Sequence, residues 1–181
     1  MEVDIAIAST VRAATALLFA AGLTHKLWSL GDFQRTLGQY LQGFGMEQPR
    51  LLPVFAALIV ALEMSVLVAC LWPGLGVYAG VLASATLITY AGAMAVNIMR
   101  GNALLDCGCT WGSVRQPVNA ALVVRNLLLA VIVLTMTLPT LDRPLFTIDI
   151  VSIVLATLAV ALLYGAANHM LGLASPARRS H

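Results

Sequence analysis

The sequence predicts an all-α integral membrane protein, a bundle of five transmembrane helices with an interfacial amphipathic helix between helices 1 and 2. Three observations carry this. Of 181 residues, 60% are hydrophobic and 10% charged, against roughly 45–50% and about 25% in soluble domains. The apolar residues fall in five blocks, and about 20 such residues cross the ~30 Å hydrocarbon layer as a helix whose backbone groups bond internally. Residues 25–50 instead mix apolar and polar side chains at helical spacing.

The first block gives a helix over 5–24. Glu2 and Asp4 precede it where a signal peptide would be basic, so it is expected to persist as an anchor. In 25–50, Phe33, Leu37, Tyr40, Leu41 and Phe44 alternate with Asp32, Gln34, Arg35, Gln39 and Gln42, the pattern of a helix lying in the interface. Helices over 51–71 and 75–98 are separated by Trp72, Pro73 and Gly74. Proline stops one helix and glycine permits a tight turn, so the two form an antiparallel hairpin. The last two spans are 119–138 and 146–168. Residues 1–174 read as a single transmembrane domain and 175–181 as a short solvated tail. A net charge of +2, with no basic-aromatic patch, gives no support for nucleic-acid binding.

Five spans make the helix ends alternate. The N-terminus, the Trp72–Gly74 turn and the Pro139–Pro144 loop share one face, the near side. The far side collects His25, Lys26, Asp106, Cys107, Cys109 and His169. It also holds Arg35, Arg50, Arg100, Arg115, Arg178 and Arg179, against Arg143 alone on the near side. By the positive-inside rule the far side is cytoplasmic. Functional arginines around a reactive site would distort that count.

Two charges fall inside spans. Arg12 and Glu63 lie at similar depth, some 10–12 Å below the near surface at ~1.5 Å per residue, and intramembrane charges are costly unless paired. An Arg12–Glu63 ion pair is therefore expected, either fixing the packing of two helices or serving proton or quinone traffic. Arg125 and Asn126 lie about two turns into the fourth span. Arg125 is expected to face the cysteine loop, the alternative being that it snorkels to the interface.

The densest cluster of reactive residues is Asp106-Cys107-Gly108-Cys109, preceded by Asn97 and Arg100-Gly101. Two thiols one residue apart close a small strained ring, and the intervening glycine allows the required backbone angles. Strained disulfides are labile, and so short a ring removes little chain entropy, which suits exchange better than stapling. Arg100, Arg115 and Arg125 would stabilise a thiolate, and Asp106 would oppose it. Thiol–disulfide exchange by Cys107 and Cys109 is the leading reading. The same thiols with His25 and His169 are a possible soft-metal ligand set, and inert buried thiols are the structural reading. Cys70 lies across the bilayer and is expected to pack in the core. Membrane oxidases that pass electrons from a protein dithiol to quinone, such as DsbB or the vitamin K epoxide reductase relatives, usually use a second cysteine pair, which this chain lacks. No resident cofactor is expected; quinone is the alternative, in a quinone-linked thiol oxidoreductase. A small transporter or channel is the rival of another class. Its path would use Arg12, Glu63, Thr86, Thr89 and Tyr90, with Gly76-xxx-Gly80 as a close-packing surface for an oligomer.

Lys26 after the first span, Glu63 in the second, Asn97, Arg100-Gly101, Asp106-Cys107-Gly108-Cys109 and then Arg125-Asn126 resemble the MauE family, within the larger group of DoxX-like, redox-associated membrane proteins. The helical arrangement carries the likeness over nearly the whole chain. Many members of the wider group follow the second cysteine with Phe-Gly, whereas here Thr110-Trp111-Gly112 stand. The resemblance implies a multi-pass protein of the bacterial plasma membrane that helps mature the small (beta) subunit of methylamine dehydrogenase. It implies a thioredoxin-like, MauD-type partner and disulfide exchange through Cys107 and Cys109. It also implies a periplasmic far side, because disulfide traffic belongs to oxidising compartments, which opposes the lysine and arginine count.

Overall fold

The computed structural model describes residues 2–43, 45, 50–72, 74–101, 118–141 and 143–173. They form six α-helices: α1 Ile5–Trp28, α2 Leu30–Gly43, α3 Leu52–Leu71, α4 Gly76–Met99, α5 Ala120–Leu134 and α6 Thr147–Leu173. A 3-10 turn, Thr135–Thr137, extends α5. Five of the helices are long and apolar enough to cross a membrane, α5 with its 3-10 extension. The architecture is the all-α, five-span one expected.

α1 runs about one turn beyond its expected end because nothing in Thr24–Trp28 breaks a helix. It stops where Ser29 N–H bonds back to the His25 carbonyl at 3.1 Å. His25 and Lys26 thereby belong to the span itself. α2 exposes Asp32, Arg35 and Gln39 and turns Phe33, Leu37 and Tyr40 toward the bundle as half-buried residues, the amphipathic arrangement its sequence predicts. Pro53 in the first turn of α3 costs nothing, because its missing N–H would have no intrahelical partner there.

α1, α3, α4 and α5 enclose the core, in which Phe19, Val66, Leu87, Val133 and Met136 pack around Ala79, Ala83 and Ala130. α4 and α5 form the most extensive pairing, α1 packs on α3, and α6 lies mainly along α1. Small residues set the α4–α5 distance. A Cβ on Gly80 would meet the Val133 carbonyl oxygen at 3.0 Å and Met136 Cβ at 3.2 Å. The Gly76-xxx-Gly80 surface is therefore used inside the bundle, against α5, and is not a free face for an oligomer.

On the near side the two ends of this arrangement are tied. Val3 N–H donates to the Pro139 carbonyl at 3.0 Å, and Leu141 N–H donates to the Val3 carbonyl at 2.9 Å. Arg143 donates to Asp4 through Nε (3.0 Å) and Nη2 (3.1 Å), and to Asp149 through Nη1 (2.8 Å) and Nη2 (2.9 Å). Each carboxylate also caps a helix: Asp4 accepts from Ala6 N–H and Asp149 from Phe146 N–H. Asp4's carboxyl is held below its ordinary value of 3.8, first by its hydrogen bonds from Arg143. A depressed carboxylate contributes stability that is fully present above its unfolded value and is lost as pH falls through the folded one. The clamp is expected to hold at about pH 6 and to open as pH falls below about 3.8. Protease nicking near Val3 should increase over that interval in the native protein, and Arg143→Gln should flatten the dependence.

Candidate functional site

Among the described residues, the far half of the bundle contains a buried ionic cluster assembled from four helices. Lys26, on the last turn of α1, is 7% exposed, and Glu63, in the middle of α3, is 2% exposed. Lys26 Nζ pairs with Glu63 Oε1. Tyr90 of α4 donates its hydroxyl to the same oxygen at 2.5 Å. The lysine ammonium also lies 5.4 Å from the Tyr90 ring centroid and 5.6 Å from that of Phe33, on α2, within cation–π range of both. Glu63 Oε2 is buried with no donor among the described residues. Two turns further along the same face of α4, Asn97 is 0% exposed. Its amide donates to the Ala93 carbonyl at 2.9 Å, and its Oδ1 has no partner among the described residues.

This corrects the expected Arg12–Glu63 pair. Arg12 donates from Nε to the Cys70 carbonyl at 2.5 Å and from Nη2 to the carbonyls of Ala69 and Trp72, so it caps the C-terminal end of α3. Side chains on a helix lean toward its N-terminus. On α1 that direction carries Arg12 to the near surface and Lys26 down into the bundle. On α3, which runs the other way, it carries Glu63 toward the far side. Equal depth of the Cα atoms brought Arg12 and Glu63 level, but their side chains diverge. Helix-end carbonyls lack intrahelical donors and carry partial negative charge, so the guanidinium is compensated there.

The other expected site residues divide into two groups. Asp106, Cys107, Cys109 and Arg115 lie outside the described residues. Arg100 is exposed at the end of α4, and Gly101, at φ +80°, lets the chain leave that helix in a conformation other residues rarely adopt. Asn126 is buried in α5 and donates to the Leu122 carbonyl at 2.9 Å. Arg125 reaches α6, donating from Nη1 to Asn168 Oδ1 at 2.5 Å and lying 5.2 Å over the Tyr164 ring. His25 is half-buried on α1 and His169 exposed on α6; among the described residues no three His, Cys, Asp or Glu converge as a metal site. Cys70 is buried in the core at the near end of α3. Tyr90 and Phe33 complete the ionic cluster. The sequence puts Tyr90 on a transport path and Phe33 on an amphipathic face, and the lean of Lys26 toward them is the signal that joins the two.

Gly101, after α4, and Val118, before α5, both lie at this same end of the bundle. Val118 packs with Met94 and Leu122 in a small buried group, against which Ile98, Tyr90 and Tyr40 also lie. Val118, the first described residue after the Cys-Gly-Cys sequence, thus packs near Tyr40 of α2 and Tyr90 of the ionic cluster.

A family model described as "Methylamine utilisation protein MauE" matches residues 5–139, which run from α1 through α5. Three curated proteins named "Methylamine utilization protein MauE" are similar. The one from Paracoccus denitrificans is 36% identical over 124 residues, 66% of this chain and 62% of that protein. The Methylophilus methylotrophus protein is 33% identical over 165 residues, covering 87% and 82%. The Paracoccus versutus protein is 32% identical over 174 residues, covering 93% and 88%. The match thus spans less than two thirds of the Paracoccus denitrificans protein and most of the other two. No solved structure matches the chain.

Proposed function

The chain belongs to the MauE family, and from that premise we propose that it is a membrane accessory protein of methylamine utilisation that works by thiol–disulfide exchange. Cys107 and Cys109 are the exchanging pair. The partner is a thioredoxin-like, MauD-type protein, and the beneficiary is the disulfide-bearing small subunit of methylamine dehydrogenase, on the periplasmic side of the plasma membrane. The observation that supports this reading is the close α4–α5 pairing, which holds Gly101 and Val118, the described residues on either side of the Cys-Gly-Cys sequence, at one end of the bundle.

Exchange conserves electrons. A thiolate from one loop cysteine attacks a sulfur of the partner's disulfide; that S–S bond breaks, and the departing sulfur takes up a proton. The second loop thiolate then attacks the mixed disulfide and releases the partner as a dithiol. Run in reverse, the same steps oxidise the partner. Only the thiolate reacts, so nearby arginines favour each attack.

The test is capture of the intermediate. With Cys109→Ser or Cys107→Ser the second step cannot occur, and a mixed disulfide with the thioredoxin-like protein is expected to accumulate on non-reducing gels and to vanish on reduction. Failure of both variants to give any adduct overturns the reading. Labelling of the loop thiols by an impermeant reagent in intact cells is expected if they face the periplasm. Protection until the cells are opened would place them on the other side.

A further inference from the structure

A cation within a bilayer is tolerated when a carboxylate, backbone carbonyls or lipid headgroups compensate it. Lys26 has Glu63, and Arg12 has the carbonyls that end α3. Arg125 has neither. It lies five residues into α5, about 8 Å below the far end of that helix, and no carboxylate among the described residues is within ion-pair distance. Its partners, the Asn168 amide oxygen and the Tyr164 ring, both stand on α6. They contribute a dipole and a ring quadrupole but no charge, and its Nε is buried without an acceptor among the described residues. Elsewhere α5 packs on α4 and α6 on α1, so Arg125 bridges two helices that otherwise share little contact.

We propose that Arg125, fixed by Asn168 and Tyr164, binds the phosphate of an anionic phospholipid at the far-side mouth between α5 and α6. The charge calls for an anion, and the depth is that of the headgroup boundary. The planar guanidinium is a preorganised phosphate donor because stacking and one hydrogen bond already restrict it. Deeper on the same face of α5, Leu128 and Ile132 are exposed and give the acyl chains an apolar track. A free phosphate ion would satisfy the charge but not that track.

Binding is read on the full chain purified in neutral detergent, by native mass spectrometry and by the rise in unfolding temperature as phosphatidylglycerol is added. Arg125→Gln is expected to bind about fivefold more weakly, with Arg125→Lys in between. Phosphatidylcholine, whose ammonium already neutralises its phosphate, binds more weakly than phosphatidylglycerol, and inorganic phosphate gives no shift. Arg35→Gln, on the exposed face of α2, leaves binding unchanged. The proposal is overturned if Arg125→Gln binds like wild type, if Arg35→Gln lowers binding equally, or if inorganic phosphate reproduces the shift. Should Arg125→Gln fail to fold, Asn168→Ala keeps the charge but releases it. Reduced binding in that variant supports the site, and undiminished binding overturns it.

Discussion

Replacing Lys26 with methionine is expected to cost about 3–5 kcal/mol of stability, because it leaves the Glu63 carboxylate unpaired inside the bundle. Methionine keeps most of the apolar stem, so the loss reports the ammonium and not a cavity. Glu63→Leu should cost a comparable amount by stranding the lysine. The double variant Lys26→Met with Glu63→Leu removes both charges and is expected to recover most of the loss, since a buried ion pair roughly breaks even against apolar residues of similar volume. Tyr90→Phe removes only the hydroxyl that donates to the pair and should cost about 1–2 kcal/mol. Equilibrium unfolding in mixed micelles checks the set. Single variants that each cost less than about 1 kcal/mol would show that the pair is hydrated and contributes as little as a surface bridge. If the double variant is stable yet fails to support enzyme maturation, the cluster has a role beyond holding helices together.

Cys107→Ser and Cys109→Ser are each expected to abolish maturation of methylamine dehydrogenase while leaving the amount of protein in the membrane unchanged. Serine is nearly isosteric with cysteine, but its oxygen forms no exchangeable bond to sulfur and is not ionised near neutrality. The chemistry is lost and the volume kept. The fold is expected to hold without these thiols, since the described core is built by α1, α3, α4 and α5 and a three-residue ring would restrict the unfolded chain little. Cys70→Ala is the matched control. It removes a thiol from the core at the opposite face, should cost about 1–2 kcal/mol by loss of packing, and should leave maturation intact. Full activity in a Cys107→Ser, Cys109→Ser double variant would remove exchange from the mechanism and turn attention to transport.

The spans were legible because hydrocarbon imposes a length and an apolar composition on any helix that crosses it, and the α3–α4 hairpin because proline and glycine stand between two such runs. α2 was legible from Phe33, Leu37 and Tyr40 against Asp32, Arg35 and Gln39. The ionic cluster was only half legible. Glu63 declared itself as a charge in an apolar run, but its partner did not, because Lys26 reads as a loop residue unless α1 is extended and the backward lean of helical side chains is included. Arg12 was misassigned for the same reason. The destination of Arg125 on α6 depends on which helices are neighbours, and periodicity along one helix carries no information about that. For the cysteines, residue types and spacing spoke to chemistry alone.

The contact of α6 with α1 and the clamp of Arg143 on Asp4 and Asp149 also bear on biogenesis. α6 docks on α1, and Val3 pairs with Pro139 and Leu141 just ahead of α6. During synthesis α1 is expected to enter the membrane with its α6-facing side uncovered and to wait while α3, α4 and α5 insert. A chain interrupted after Arg143 keeps the partner of Asp4 but lacks Asp149 and the helix that covers α1, so α1 is expected to present an orphan face until α6 docks.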